Sequence, residues 1–155
     1  MHPPLCIVGP SDAGKTTLLE SLVAELADAG RVGTIKSIHH DIEIDTPGKD
    51  THRHRTAGAD TVVGLTPSLS FEITPGGKDA AGEIALLEAT VDDLRSAGYE
   101  YILIEGFHDA AYPKLVVGDR SVAPPVVARG PPAAVDIPAL ATAMIDGTLV
   151  DTDDT

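Results

Sequence analysis

The segment Gly9-Pro10-Ser11-Asp12-Ala13-Gly14-Lys15-Thr16 places two glycines, a lysine and a hydroxyl in the spacing G-x-x-x-x-G-K-[ST]. Glycines at these positions let consecutive backbone N–H groups converge on phosphate oxygens. The helix expected to follow presents its positive N-terminal end to the same charge. Lys15 then reaches the β- and γ-phosphates of a nucleotide, and the Thr16 hydroxyl ligates Mg²⁺. The chain's own residue frequencies would produce about 0.006 such matches by accident, so a merely tight turn is the weaker explanation.

Other residues with chemical potential lie downstream. Asp45-Thr46-Pro47-Gly48 has the D-x-x-G form in which the Gly48 N–H could sense a γ-phosphate, although a generic turn has the same form. Glu105 closes the apolar run Tyr101-Ile102-Leu103-Ile104. A nucleotide-binding sheet carries at that place the acid that holds Mg²⁺ or orients an attacking water, and a solvated strand-end glutamate is the bland alternative. Four of the six histidines, His39, His40, His52 and His54, fall within 16 residues. Adjacent His39 and His40 on an extended segment point oppositely and no cysteine joins them, which favours ligand or phosphate contacts over zinc. Arg53 and Arg55 alternate with the histidines and could contact an anionic substrate or simply solvate a helix face. The five lysines, Lys15, Lys36, Lys49, Lys78 and Lys114, could focus a phosphorylated ligand or form surface ion pairs.

These residues need elements to position them. Leu5-Cys6-Ile7-Val8 is a continuous apolar run entering Gly9, as expected of a buried parallel strand. Leu18, Leu19, Leu22, Val23 and Leu26 make one face of a helix that Gly30 ends, and a second strand is expected from Arg31 to Ile38. Strand, loop, helix and strand form a βαβ unit, so the predicted fold class is α/β: a P-loop NTPase with a mostly parallel sheet flanked by helices. The polar stretch from Asp45 to Asp60 suits a functional loop with a short helix. Residues 61–74 suit an added hairpin turning at Pro67-Ser68. Ile84, Leu87, Val91 and Leu94 predict a helix ending at Gly98, followed by a strand from Tyr99 to Ile104. Leu115 to Val117 and Val126 to Ala128 are further strands, and Asp136 N-caps a last helix running to Ile145. One domain over 1–150 with a frayed acidic tail over 151–155 is expected.

Composition excludes several classes. The 155 residues carry 11 Lys plus Arg against 24 Asp plus Glu, a net charge of −13, so no basic stripe is available for nucleic acid. The single cysteine, Cys6, rules out an intrachain disulfide and a Cys-based metal motif. The first residues lack a cationic signal region and no apolar run is long enough to span a bilayer, so a cytoplasmic protein with no membrane contact is expected. Acid scattered over every segment also suits a halophilic, high-salt cytoplasm.

Together, Gly9 to Thr16, Lys36-Ser37-Ile38-His39-His40-Asp41, Asp45 to Arg55 with Ala57-Gly58-Ala59, and Glu105-Gly106-Phe107 followed by Tyr112-Pro113-Lys114 resemble one family. The chain resembles the molybdopterin-guanine dinucleotide biosynthesis protein B (MobB) family from about Leu5 to Ile145. The resemblance implies a GTP-binding adapter with weak Mg²⁺-dependent GTPase activity in molybdenum-cofactor maturation, often a homodimer. Its implied partners are molybdopterin and the guanylyltransferase that joins GMP to it. By the same resemblance Gly14, Lys15, Thr16 and Thr17 would bind phosphates and Mg²⁺, with Gly9, Ser11, Asp12, Ala13 and Gly106 around them. Asp45 and Glu105 would be Mg²⁺ or water-orienting acids, and His39, Gly48 and the stretch Lys49 to Arg55, with Arg53, would lie beside the nucleotide or pterin. No N-K-x-D or T-K-x-D segment reads guanine here, so guanine preference is implied by the family alone. Two competing classes remain. A small-molecule kinase would add an arginine-rich lid, which the six arginines do not form. A metal-delivery GTPase would use the histidine cluster.

Overall fold

The computed structural model describes residues 2–153. Their elements run β1 (Leu5–Val8), α1 (Lys15–Ala27), β2 (Val32–Lys36), α2 (Asp50–Thr56), β3 (Val62–Leu65), β4 (Ser70–Ile73), α3 (Lys78–Ala81), α4 (Glu83–Ser96), β5 (Tyr101–Glu105), β6 (Lys114–Val117), β7 (Val126–Gly130) and α5 (Ile137–Asp146). Five strands form a parallel sheet of order β2-β5-β1-β6-β7, while β3 and β4 pair antiparallel in a sheet of their own. The α/β class, the parallel sheet flanked by helices and the hairpin are as expected from the sequence.

The chain divides into two compact units, Met1–Ser37 with Leu87–Thr155, and Ile38–Leu86. The polar loop and hairpin expected inside one domain thus form a unit of their own, inserted after β2.

In the first unit, alternation along the central strands sorts side chains to two faces. Leu5, Ile7, Leu103, Leu115 and Val117 cluster with Leu18, Leu22 and Leu26 of α1 and with Leu140, Ala141 and Met144 of α5. Cys6, Val8, Ile102, Ile104 and Val116 take the other face and are equally buried. On that face Leu94 of α4 lies 3.4 Å from where a Cβ on Gly33 of β2 would stand. Because both faces are covered, β1 and β5 read as unbroken apolar runs. Helix ends follow local chemistry: Asp136 Oδ1 accepts the Ala139 N–H at 3.0 Å to start α5, and Gly147, with φ 69°, stops it.

The C-terminal segment departs from the frayed tail that its acidity implied. The Asp151 carboxylate accepts the Val126 N–H at 3.1 Å, the Thr152 N–H donates to Val126 O, and Asp153 pairs with Arg129 at 2.7 Å. Backbone pairing along β7 holds these residues down; Asp154 and Thr155 lie outside the described residues.

In the second unit, Val62 and Ile73 point to the buried side of the hairpin, and the Phe71 ring lies across Gly64. A Cβ on Gly64 would stand 2.2 Å from that ring, so a larger residue there would push the Phe71 ring aside. The opposite face carries Val63 and Leu65, which are exposed.

Candidate functional site

The loop from Gly9 to Gly14 joins the C-terminal end of β1 to the first residue of α1. Its turns require unusual backbone. Gly9 has φ 157°, and a Cβ there would stand 2.7 Å from Val117 O, while Gly14 caps α1 in the left-handed conformation. Asp12 is left-handed at φ 60° without being glycine, a strained position of the kind that clusters at ligand-binding loops. Ser11 and Asp12 are exposed and Ala13 is half-buried. The first turn of α1 opens with N–H groups that have no acceptor within the helix, and no acidic side chain competes for them.

Lys15 bends back over this loop, its Nζ donating to Gly9 O at 2.7 Å and Pro10 O at 3.2 Å. Thr16 Oγ1 donates to Glu105 Oε1 at 3.1 Å, joining α1 to the end of β5. Thr17 is exposed, and its carbonyl accepts the Ser21 hydroxyl. Gly106 follows Glu105 with φ 105°, its N–H donates to Ile7 O, and a Cβ on it would press on Ser37 at 2.8 Å. Lys36 lies level with Glu105 across the β2–β5 pair. A hydroxyl and a carboxylate in contact are two hard oxygen donors of the kind that fit Mg²⁺. With the lysine and the helix terminus they make a set of donors suited to a metal-bound polyphosphate. Of Lys15, Thr16, Asp45 and Glu105, the fold brings Thr16 and Glu105 into contact and turns Lys15 back over the loop.

The remaining expected site residues belong to the inserted unit. Asp45 is buried there, its side chain 6% exposed. Thr51 Oγ1 donates to Asp45 Oδ1 at 2.8 Å, and Arg55 Nη2 stands 3.9 Å from Oδ2. Among the described residues, Asp45 Oδ2 and Arg55 Nε find no hydrogen-bond partner. Gly48 donates its N–H to His52 Nδ1 at 3.1 Å, which shapes the turn into α2. Lys49, His39 and His40 are exposed. Arg53 and His54 line a cavity of about 580 Å³ with Asp50, Thr56 and Ala57. Among the described residues no group of three or more His, Cys, Asp or Glu side chains is arranged to hold a metal ion.

Two features escaped the sequence reading. The Asp45–Thr51–Arg55 clasp was not legible, although Thr51 and Arg55, four apart on one short helix, carried a signal for part of it. Lys114, grouped above with cations available to a ligand, is 0% exposed. The signal was its place at the head of the apolar run Leu115-Val116-Val117, inside the sheet. Burial lowers its pKa from the usual lysine value, against smaller opposing effects of Cys6 and Asp109. Burial likewise pushes the Cys6 thiol up to about 12, with Lys114 opposing.

With this geometry in view, a family model described as "Molybdopterin guanine dinucleotide synthesis protein B" (MobB) matches residues 4–142. The chain belongs to the MobB family. It is 33% identical over 118 residues to the "Molybdopterin-guanine dinucleotide biosynthesis adapter protein" of Escherichia coli (strain K12), covering 76% of this chain and 66% of that one. A protein of the same description from Haemophilus influenzae is 33% identical over 127 residues, covering 80% and 67%. The chain thus spans about two thirds of the length of these MobB relatives. The crystal structure of Bacillus subtilis MobB shares the fold with a TM-score of 0.66 at 20% identity, covering 92% of this chain and 98% of that one.

Proposed function

We propose that this chain is a GTP-binding adapter with weak GTPase activity in molybdopterin guanine dinucleotide biosynthesis. The observation that carries the nucleotide part is the contact between Thr16 and Glu105 beside a loop whose lysine has only main-chain carbonyls to hold. Lys15 exchanges those carbonyls for β- and γ-phosphate oxygens. Thr16 and Glu105 hold Mg²⁺, and bound Mg²⁺ neutralises phosphate charge. Glu105 is also placed to orient an attacking water. Guanine over adenine rests on family membership, as do molybdopterin and a guanylyltransferase as partners.

Slow turnover is expected because the loop Gly9–Thr16 contains no arginine, so no arginine finger is built into it and stimulation by a partner is expected. In the inserted unit the cavity beside Arg53 and His54 suits an anionic group such as a pterin phosphate. The exposed apolar residues Val63, Leu65 and Leu69 support a homodimer. Among the described residues no helix is long and apolar enough to cross a membrane, and the charge of −13 suits work in a high-salt cytoplasm.

Calorimetry with GTP, ATP and molybdopterin in Mg²⁺ and molar KCl tests this reading. GTP is expected to bind tightest, and Lys15→Ala to lose at least 100-fold in affinity with an unchanged melting curve. Undiminished binding by folded Lys15→Ala overturns the site, and equal affinity for ATP overturns the guanine assignment.

A further inference from the structure

Residues 106–113 carry the chain from the end of β5 across β1 to the start of β6, and β5 and β6 both run parallel to β1. Such a crossover ordinarily takes a dozen residues or more and contains a helix, which satisfies its own carbonyls. Here eight residues do it without one, so their carbonyls need other donors. Lys114, wholly buried at the head of β6, supplies two of them: its Nζ donates to Ala110 O and to Tyr112 O, the latter at 2.9 Å. Taking an ammonium out of water is costly, so its retention calls for a compensating role.

That role is traceable along the backbone. Ala110, whose carbonyl Lys114 holds, donates its own N–H to Phe107 O at 3.1 Å, and closes a turn in which Phe107 keeps φ 61°. Phe107 follows Gly106, whose N–H is fixed on Ile7 O at 2.9 Å, and Gly106 follows Glu105, the acid in contact with Thr16. The crossover is also held by the Ala123 N–H on His108 O at 3.1 Å and by the Cys6 N–H on Pro113 O at 2.9 Å.

We propose that Lys114 is a positioning residue for Glu105, fixing the crossover 106–113 so that the carboxylate stays aimed at Thr16 and the metal side of the nucleotide site. The inference rests on the nucleotide reading above. It separates two parts of binding: phosphate contacts made by the loop Gly9–Thr16, which do not pass through Lys114, and the gain in affinity on adding Mg²⁺, which does.

The test measures affinity for GTP with and without Mg²⁺ in wild type, Lys114→Met and Lys114→Arg. For Lys114→Met the Mg²⁺-free affinity is expected within twofold of wild type, while the gain on adding Mg²⁺ falls at least tenfold. Lys114→Arg, which keeps the donors, is expected to recover part of that gain. Folded Lys114→Met with a wild-type Mg²⁺ gain overturns the inference. Should Lys114→Met not fold, hydrogen exchange on the wild type decides. Coupling is reciprocal, so Mg²⁺ with GTP is expected to slow exchange at the Ala110 and Ala123 amides more than GTP alone, and no difference overturns the inference. Wild-type protein that fails to bind GTP at all overturns the nucleotide reading, and this inference with it.

Discussion

The two units are stabilised by different means. In the first, Leu5, Ile7, Leu22, Leu26, Leu103 and Leu115 are fully buried, and the candidate nucleotide site sits on the ends of strands so held. In Ile38–Leu86 only Val62 and Ile73 are buried among the apolar residues described, while Ile38, Ile42, Ile44, Val63, Leu65, Leu69 and Phe71 are exposed. A lone two-stranded hairpin is marginal in water, so the inserted unit leans on polar contacts: the Asp45–Thr51–Arg55 clasp, the Gly48–His52 bond and Lys78 Nζ on Ile38 O. The lesson is one of precision against adaptability. The candidate nucleotide groups stand on the packed sheet, and the exposed apolar residues stand on the thin unit.

The largest test of this contrast is Leu103→Ala, at the centre of the sheet. It is expected to cost about 2–5 kcal/mol in denaturant unfolding, because the removed atoms leave a cavity that β1 and β2 cannot close. A cost below about 1 kcal/mol would mean that the first unit is no better packed than the second. Next comes Asp45→Ala, which strips Thr51 of its hydrogen-bond acceptor and Arg55 of its ion-pair partner. The expected cost is about 1–3 kcal/mol, confined to the inserted unit. Hydrogen exchange should quicken across residues 45–56 while the amides of β1 and β5 stay as slow as before, and equal acceleration in both would sink the idea of separate supports.

The same contrast explains what could be read from sequence. Strands β1 and β5 were legible because burial on both faces writes an unbroken apolar run, and the loop Gly9–Thr16 because backbone convergence on an anion needs glycine at fixed places. Thr16 was legible as the last residue of that loop, and Glu105 as the acid that ends an apolar run. Asp45 was read as an acid for metal or water, yet in the fold its carboxylate faces Thr51 and Arg55. Nothing in a polar loop announces which of its charges will pair. Lys114 was misread for the complementary reason: lysine is almost never buried, and its burial depends on a crossover too short for a helix, a fact of topology rather than of local pattern.

A smaller effect, graded by pH, sharpens the picture of the first unit's interior. The Cys6 thiol titrates near 9.0 in the unfolded chain and near 12 in the fold, where burial is the main cause. Between these values the unfolded state binds fewer protons than the folded one, so stability falls as pH rises, by about 1.4 kcal/mol per pH unit. Lys114 has the opposite sign. Its pKa is lowered by burial, so below 10.5 the unfolded state binds more protons and stability rises with pH. Cys6→Ala is therefore expected to remove the downward slope between pH 9 and 10 and leave the upward one. Unfolding free energies at half-unit intervals check this, and an unchanged slope in the variant would mean that Cys6 is wetter than its position in β1 implies.

The smallest expected effect is the most discriminating for the inserted unit. Leu65 is 80% exposed, so Leu65→Ser removes almost no packing, and the stability of the isolated chain should move by less than about 0.5 kcal/mol. If Val63, Leu65 and Leu69 form the contact between two copies, the same substitution should weaken the dimer in sedimentation by at least tenfold, because the leucine is then buried and the serine hydroxyl must be desolvated without a partner. A large loss of stability in the monomer would show instead that Leu65 already packs within its own chain. A small loss with an unchanged dimer would show that this face is not the contact between two copies.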